Sequence, residues 1–490
     1  MVGVTFFIYV CLMMFIGYLA YRRTHSLSDY ILGGRRLGKW VTALSACASD
    51  MSGWLLLGLP GYAYAAGLEA GWIALGLLAG TYFNWRLVAG RLRHYSVIAG
   101  NSQTLPAFFE NRFHDESRSL RVVSAIFILL FFLFYTSSGL VAGGKLFNTV
   151  FELPYHWAVT AGALVIVIYT FVGGFLAVSW TDLFQGLLMA LALLIVPIMA
   201  VSSIGGLDGT LSAASETNPA LLDALSDVDS EPLGVLAVMS LLAWGLGYFG
   251  QPHILARFKA IRSVDDIPAA RKIAVSWVAL TLFCAVFVGI AGIGYLQPVL
   301  EGADTEKVFI LLVEALFHPV IAGICLAAIL AAIMSTADSQ LLVSASVFTS
   351  DFYRVWFRRS ASEQELVWTG RLAVLAIAII ALVLAWDPDR KVLDLVAYAW
   401  AGFGAAFGPA LILSLFWRRM NRNGAVAGII VGGVTVVVWK QLSGGLFDLY
   451  EIVPGFVLSL LAIVITSVLT RAPEQNVLRD FDRASGIFVK

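Results

Sequence analysis

The fold that this sequence predicts is all-α and polytopic, with about thirteen transmembrane helices. Three observations carry that expectation. Of the 490 residues, 59% are apolar. Only 13% are charged, against about 25% in soluble domains, too few to cover a water-facing surface of this size. The apolar residues come in runs of about 20, the length that crosses a bilayer core, whereas strands of a membrane barrel would be about ten residues long and alternate in polarity. The 32 basic and 32 acidic residues cancel, so the chain offers no counterion-release term to a nucleic acid. Cys11, Cys47, Cys284 and Cys325 lie in apolar runs without CxxC spacing. They read as small buried hydrophobes, not as a disulfide or zinc framework.

The runs cover residues 3–21, 40–64, 70–89, 122–146, 157–175, 183–203, 233–255, 273–296, 308–350, 367–386, 392–417, 424–441 and 452–471. The first has no basic residue ahead of it and no small-residue cleavage pattern behind it, so it reads as a span, not a signal peptide. The ninth is longer than a bilayer requires and is expected to tilt or run on into the cytoplasm. With the N-terminus placed outside, alternating loops put every Lys and Arg inside except Lys145, Lys307, Arg390, Lys391 and Lys440. Positive charge marks the cytoplasmic side, so the N-terminus is expected outside and the C-terminus inside. The acidic loop from Asp208 to Glu231, free of Lys and Arg, falls outside in the same count. No GxxxxGK[ST] motif is present, so no ATP site is expected and the energy for any transport comes from an ion gradient or downhill flow.

Two spans are interrupted by Gly, Pro and polar residues. The second carries Asp50-Met51-Ser52-Gly53-Trp54 followed by Gly58, Pro60 and Gly61, and the seventh carries Trp244 to Gly250, then Gln251-Pro252-His253. Irregular backbone at membrane depth is tolerated only where it lines a cavity. A matched pair of such segments points to the binding site of an inverted-repeat transporter. Five spans run from each break, and five being odd, the two halves would lie in opposite orientations. The bland reading is that the glycines serve close helix packing. Asp50, mid-span, reads either as a cation ligand or as a cap on the broken half-helix.

On the ninth span Ala332, Ser335 and Thr336 stand at i, i+3 and i+4, on one helical face. Two hydroxyls and a carbonyl there, with the carbonyls of Ala48 and Met51 at the first break, would make five neutral oxygens. That set suits a small hard monovalent cation such as sodium, since a divalent ion would ask for more carboxylates. The alternative is hydroxyls that bond back to their own helix. Asp338 and Ser339 on the next turn, with Asp182 at the start of the sixth span, read either as a second cation or proton site or as a helix cap and a solvated acid.

The motifs Asp50 to Trp54, WGLGYFGQPHILAR over 244–257, Met334-Ser335-Thr336 and YAWAGFGAAFGP over 398–409 closely resemble the sodium/solute symporter family, and within it the proline branch. The likeness runs the length of the chain, through YILGGR over 30–35 and GGFLAVSWTD over 173–182. It implies a LeuT-like five-plus-five inverted-repeat core with two broken helices. Residues 1–39 would then be a first helix and loop, 40–417 the core (repeats of about 40–203 and 233–417), 418–471 two further helices, and 472–490 a cytoplasmic tail. The resemblance implies a multi-pass protein of a bacterial cytoplasmic (inner) membrane that imports L-proline with sodium as co-substrate, without ATP or another cofactor. It implies a sodium site of Ala48, Met51, Ala332, Ser335 and Thr336. It implies substrate contacts from Ser52, Gly53, Trp54, Tyr135, Trp244, Tyr248 and Pro252, and roles in coupling for Asp50 and Arg35. The departure is Ala337-Asp338-Ser339, where the proline branch need not carry an acid and other family members place polar groups for a second sodium.

Such a pocket suits a zwitterion with a compact ring. A carboxylate can be met by half-helix N-terminal N–H groups and an ammonium by aromatic faces. No Arg or Lys is expected mid-span, which argues against dicarboxylates; another small amino acid or a short carboxylate is the alternative within the family. A channel would want a continuous polar stripe. A membrane enzyme would want clustered His, Glu or Cys, and the six histidines are scattered, His253 reading as a gating or hydrogen-bonding residue. A transport-like sensor would want a signalling domain.

Overall fold

The computed structural model describes residues 1–21, 33–172 and 175–486. Parts of two motifs quoted above, residues 30–32 and Gly173-Gly174, lie outside the described residues, as do the basic residues Arg22, Arg23 and Lys490. The chain opens with α1 (Val2–Tyr21), then α2 (Lys39–Asp50) and α3 (Leu59–Ala66), joined by a π-helical turn over Trp54–Gly58. Gly67, at φ +67°, turns the chain into α4 (Ala70–Phe83), which continues through a second π turn into α5 (Gly90–Ile98). A short α6 (Leu105–Arg112), capped by Thr104, leads to α7 (Ser119–Phe151), α8 (Tyr155–Val172), α9 (Phe175–Ser203) and the peripheral α10 (Gly206–Thr217). The second half opens with α11 (Val235–Leu242) and α12 (Pro252–Ala260), separated by a 3₁₀ stretch over Ala243–Gly250. There follow α13 (Ile267–Tyr295), α14 (Val308–Leu316), α15 (Pro319–Ser346), α16 (Glu363–Leu384) and α17 (Val392–Phe416). The chain ends with α18 (Arg422–Trp439), α19 (Ile452–Leu469) and α20 (Gln475–Ser485).

Among the described residues nine helical stretches are long and apolar enough to cross a membrane, ten if α11 and α12, bent by 47°, count as one crossing. Val2–Ile16 and Tyr155–Thr170 are apolar but shorter. The expected count of thirteen remains an expectation. One boundary is corrected: the long ninth run is two helices. His318 accepts from the Val320 N–H, and Pro319, which has no N–H to give, starts α15. Residues 308–316 therefore form a separate helix, while the far end runs on through a π turn to Trp356, as expected.

The loops segregate. Those that carry most of the arginines touch one another: Arg93 Nε donates to Ile261 O (2.7 Å), Arg262 N to Leu37 O (2.9 Å), Arg112 Nε to Ser414 O (3.1 Å), and Arg418 pairs with Asp482 (2.8 Å). At the opposite end Trp72 donates to Ala224 O (2.7 Å), Tyr155 to Ala385 O (3.0 Å), and Glu306 binds Lys145 (2.5 Å) and the N–H groups of Val392 and Leu393 (2.9 and 3.0 Å). These loops are the ones that the charge count assigned to common sides.

The halves pack alike in one respect and differ in another. The second half of the first broken helix, α3, lies on α13, whereas α4 is met by the 3₁₀ stretch ahead of α12 and not by α12 itself. The last helix of each half packs on its own broken helix, α9 on α2 and α17 on the 3₁₀ stretch. At the middle of this arrangement α15 is buried along nearly its whole length, together with α17.

Candidate functional site

The first break has a specific hydrogen-bond consequence. In a continuous helix the N–H of Ser52 would bond Ala48 O and that of Leu55 would bond Met51 O. Instead Ser52 N donates to Asp50 O (3.0 Å) and Leu55 N to Ser52 O (3.0 Å), because Met51 leaves the helix at φ −81°, ψ 80°. The carbonyls of Ala48 and Met51 are thereby released from their own helix. α15 meets this point: Ser335 Oγ donates to Ala48 O at 2.7 Å and Thr336 Oγ1 to the same oxygen at 3.2 Å. Ser335 also bonds back to Ala332 O (3.1 Å). All five residues of the expected cage are buried. A buried backbone oxygen is rarely left without a donor, and here two hydroxyls supply it from another helix. With a cation at this point the hydroxyls would turn their protons away and offer lone pairs. Gly53 permits the close approach, since a Cβ there would stand 2.5 Å from Ala142 Cβ.

Asp50 gathers the aromatic residues. Its carbonyl accepts from Tyr135 OH (2.9 Å) and Trp54 Nε1 (3.1 Å), and its Oδ2 accepts from Tyr248 OH (2.6 Å). Its Oδ1 has no hydrogen-bond partner although the residue is 1% exposed. No backbone N–H reaches this carboxylate, so the capping alternative is corrected. Asp50 joins the two broken helices through Tyr248 and turns no oxygen to Ser335 or Thr336.

Trp54 and Trp244 face each other at 6.4 Å and 39°. Trp400 holds the second break by donating Nε1 to Trp244 O (2.7 Å) and meeting Tyr248 edge-on at 5.0 Å. A Cβ on Gly247 would overlap that indole. Ser52 Oγ accepts from Trp54 N (3.4 Å), and Pro252 begins α12, where its missing N–H leaves no hydrogen bond unmade. The structure thus brings Ser52, Gly53, Trp54, Tyr135, Trp244 and Tyr248 together, with Pro252 at the inner edge. Trp400 and Tyr450, whose ring lies 5.6 Å from that of Trp244, were missed. Trp400 lies on α17 and Tyr450 just ahead of α19, so both reach the site from far along the chain. The YAWAG motif around Trp400 was the available signal.

The remaining candidates are placed differently. Asp182 sits well inside α9, not at a helix start. There it accepts from Ser45 Oγ (2.6 Å) and from Arg257 Nη2 (3.2 Å), both charges fully buried. Arg257 also donates to Ser339 Oγ (2.5 Å), Ser45 Oγ (3.1 Å) and His253 O (3.1 Å). Arg257 and Lys259 were assigned to a loop and in fact lie on α12, so cationic side chains do occur within a buried half-helix. Asp338 is fully buried and bonded to Thr170 Oγ1 of α8, which corrects the solvated reading. Its Oδ2 has no partner. Ser339 back-bonds to Ser335 O (2.8 Å). Arg35 stands at the basic end, away from Asp50, donating to Ser96 Oγ (2.9 Å), Lys259 O and Ser102 O (both 3.2 Å). Burial pushes its guanidinium down to about 10, with Arg93 beside it adding to the fall. His253 makes no hydrogen bond through either ring nitrogen and packs against Phe132 and Tyr135 (5.7 and 5.8 Å), which corrects the hydrogen-bonding role. No cluster of three His, Cys, Asp or Glu able to hold a metal occurs among the described residues.

The family model of the sodium:solute symporters matches residues 30–432. The chain belongs to the sodium:solute symporter family. It is 52% identical to the sodium/proline symporter of Salmonella typhimurium over 98% of this chain and 95% of that one. It is 52% identical to the high-affinity proline transporter of Bacillus subtilis over 96% and 98% of the two chains. Among solved structures, a Na⁺-coupled sialic acid symporter in its substrate-bound outward-open state superposes with a TM-score of 0.80 over 97% of this chain and 99% of that one, at 21% identity. The fold is therefore LeuT-like, and this symporter-family chain is a multi-pass transporter, not an enzyme. Within that fold the opened helix at Ala48–Met51 and the hydroxyl face of α15 occupy the centre of the bundle.

Proposed function

We propose that the chain is a sodium-coupled symporter that imports L-proline across the bacterial cytoplasmic membrane by alternating access. The observation that carries the reading is the pair of carbonyls released at the first break, Ala48 and Met51, the first of which meets the hydroxyls of Ser335 and Thr336. Five neutral oxygens, two of them hydroxyls able to reorient, fit sodium. The curated relatives support proline as the substrate. Proline's carboxylate would take the Ser52 hydroxyl and compete with Asp50 O and Ser52 Oγ for the N–H groups of the first break, and its ring would lie among Trp54, Tyr135, Trp244 and Tyr248. The segregation of basic loops to one end supports a cytoplasmic C-terminus. The equivalent packing of α9 on α2 and of α17 on the 3₁₀ stretch supports repeats of about 40–203 and 233–417.

In the cycle, sodium links the first broken helix to α15, favours the outward-open form and so raises proline affinity. Each charge moving down 100 mV supplies about 2.3 kcal/mol, enough for roughly 50-fold accumulation before the sodium gradient is counted. We assign one sodium per cycle. Arg257 already supplies the positive charge that Asp182 needs, and a second cation beside a buried guanidinium would be repelled.

Labelled L-proline uptake into proteoliposomes of the purified protein tests the reading, with an inward sodium gradient and with potassium in its place. Sodium-dependent accumulation above equilibrium is expected. Uptake with neither salt by folded protein would remove proline and turn the search to other zwitterions and small carboxylates.

A further inference from the structure

Lys259 is buried near the end of α12, 1% exposed, with its Nζ donating to the carbonyl of Gln103 at 2.6 Å. Among the described residues no carboxylate stands within ion-pairing distance of it. Of the other buried cations, Lys145 and Arg257 each have one, in Glu306 and Asp182, while Arg112 lies against the rings of Tyr95, Phe113 and Phe481. The charges near Lys259 are the Arg35 guanidinium, which donates to Lys259 O, and Asp351, which is engaged by Arg121 at 3.4 Å. A buried ammonium with only a neutral acceptor is costly to keep.

Its location supplies a reason. Lys259 lines a narrow crevice that starts at Pro252, on the inner edge of the aromatic cluster, and passes Ala256 and Leu342 to Gln103 and Thr104. The crevice has room for about one water (about 20 Å³). Gln103 and Thr104 also line an open cavity of about 550 Å³ at the basic end, with Arg118, Arg121, Asp351 and Arg354. The crevice therefore lies between Pro252 and a cationic vestibule with which it shares Gln103 and Thr104, and Lys259 is its cationic side chain.

We infer that this crevice is the release route and that Lys259 is a transient binding group for the departing substrate's carboxylate. The inference rests on the reading of the chain as a proline symporter. A zwitterion leaving the pocket carries its carboxylate through a low-dielectric passage, where a counter-charge is worth most. The bond from Lys259 to the Gln103 carbonyl holds the passage shut. A carboxylate is the stronger acceptor, so the substrate itself displaces the Gln103 carbonyl, frees the 99–104 loop and is handed on to the arginines beyond. Lys259 contacts the substrate only during release and has no part in sodium binding.

The test uses the full chain with Lys259→Met and Lys259→Arg. Sodium-dependent proline binding to detergent-solubilised protein should stay within about twofold of wild type in both, since the pocket is untouched. Efflux from loaded proteoliposomes, followed against internal proline, should show a half-saturation raised about tenfold in Lys259→Met, the loss of one charge-assisted bond, and near wild type in Lys259→Arg. Unchanged efflux in Lys259→Met overturns the inference, as does equal impairment in Lys259→Arg with normal binding. If Lys259→Met does not bind proline in detergent, Lys259→Gln carries the same comparison. A wild-type protein that binds no proline defeats the substrate reading instead, which is a separate result.

Discussion

Replacing Thr336 by Val tests the cage most directly, because Val keeps the shape of the side chain and removes only the hydroxyl. Thr336 is buried, and its Oγ1 lies 3.2 Å from Ala48 O, longer than the 2.7 Å of Ser335. A hydrogen bond or contact to a charged centre contributes about 1.5–3 kcal/mol. Before sodium enters, however, the Thr336 hydroxyl donates to Ala48 O, and giving up that bond offsets about 1 kcal/mol. The difference, about 0.5–2 kcal/mol, corresponds to a rise of about 2- to 30-fold in the sodium concentration for half-maximal uptake. The assay is the initial rate of proline uptake into proteoliposomes as external sodium is varied at fixed proline, with the maximal rate at saturating sodium expected to stay close to wild type. Thr336→Ser, which retains the oxygen, should shift the midpoint by no more than about twofold. A Thr336→Val protein with wild-type sodium dependence would refute the assignment of that hydroxyl as a ligand.

Three further expectations follow from the same geometry. Asp182→Ala strands the buried Arg257 guanidinium and should lower stability by about 3–5 kcal/mol; adding Arg257→Met should restore most of it in thermal unfolding in detergent, and purely additive losses would show that the pair is not coupled. Tyr248→Phe leaves the Asp50 carboxylate without its hydroxyl donor, a cost of about 1–3 kcal/mol; a weakened proline half-saturation that is not weakened further by adding Asp50→Asn would place the two in one unit, whereas independent effects would separate them. Asp338→Ala should leave the sodium Hill coefficient of uptake at its wild-type value, as one sodium per cycle requires, and a lowered coefficient would establish a second cation.

The local features of the site were readable in the sequence, and the long-range ones were not. Gly53, Gly247 and Pro252 mark the two breaks because backbone chemistry is local. The i, i+3, i+4 spacing of Ala332, Ser335 and Thr336 fixes a helical face without any tertiary information. Loop charge carries an expectation for the two ends because it depends on alternation alone. By contrast, the partner of Asp182 lies 75 residues away. Arg257 was read as a loop residue since a hydropathy window treats any arginine as the end of a span. The cut at His318-Pro319 carried a usable signal, a proline at the first helical position, which the apolar residues on both sides concealed. The tail helix α20 was equally legible: Val477, Phe481 and Ala484 recur at helical spacing and are the residues it buries. Arg35 shows the opposite limit, since a motif identifies the residue but not the three segments it ties together.

Coupling between cation and substrate has a short physical path. The seven residues from Ala48 to Trp54 hold both sites: the carbonyl of Ala48 meets α15 and that of Met51 is free of its own helix, while Asp50 O accepts from Tyr135 and Trp54. From Ser52 on, they form an opened turn in which the amides of Ser52 and Leu55 have left their helical acceptors, so this part has no rigid ladder of its own. Their arrangement is set from outside, by the hydroxyls of Ser335 and Thr336 on one side and by Tyr135 and Tyr248 on the other. A cation that draws the two carbonyls toward α15 fixes the dihedral angles at Met51, and those angles decide where Ser52 and Trp54 stand. Ordering this segment costs conformational entropy once. Whichever ligand binds first meets that cost and the second binds to a turn already set, so sodium and substrate help each other equally. A continuous helix at the same place would hold its carbonyls in its own hydrogen bonds and could transmit nothing.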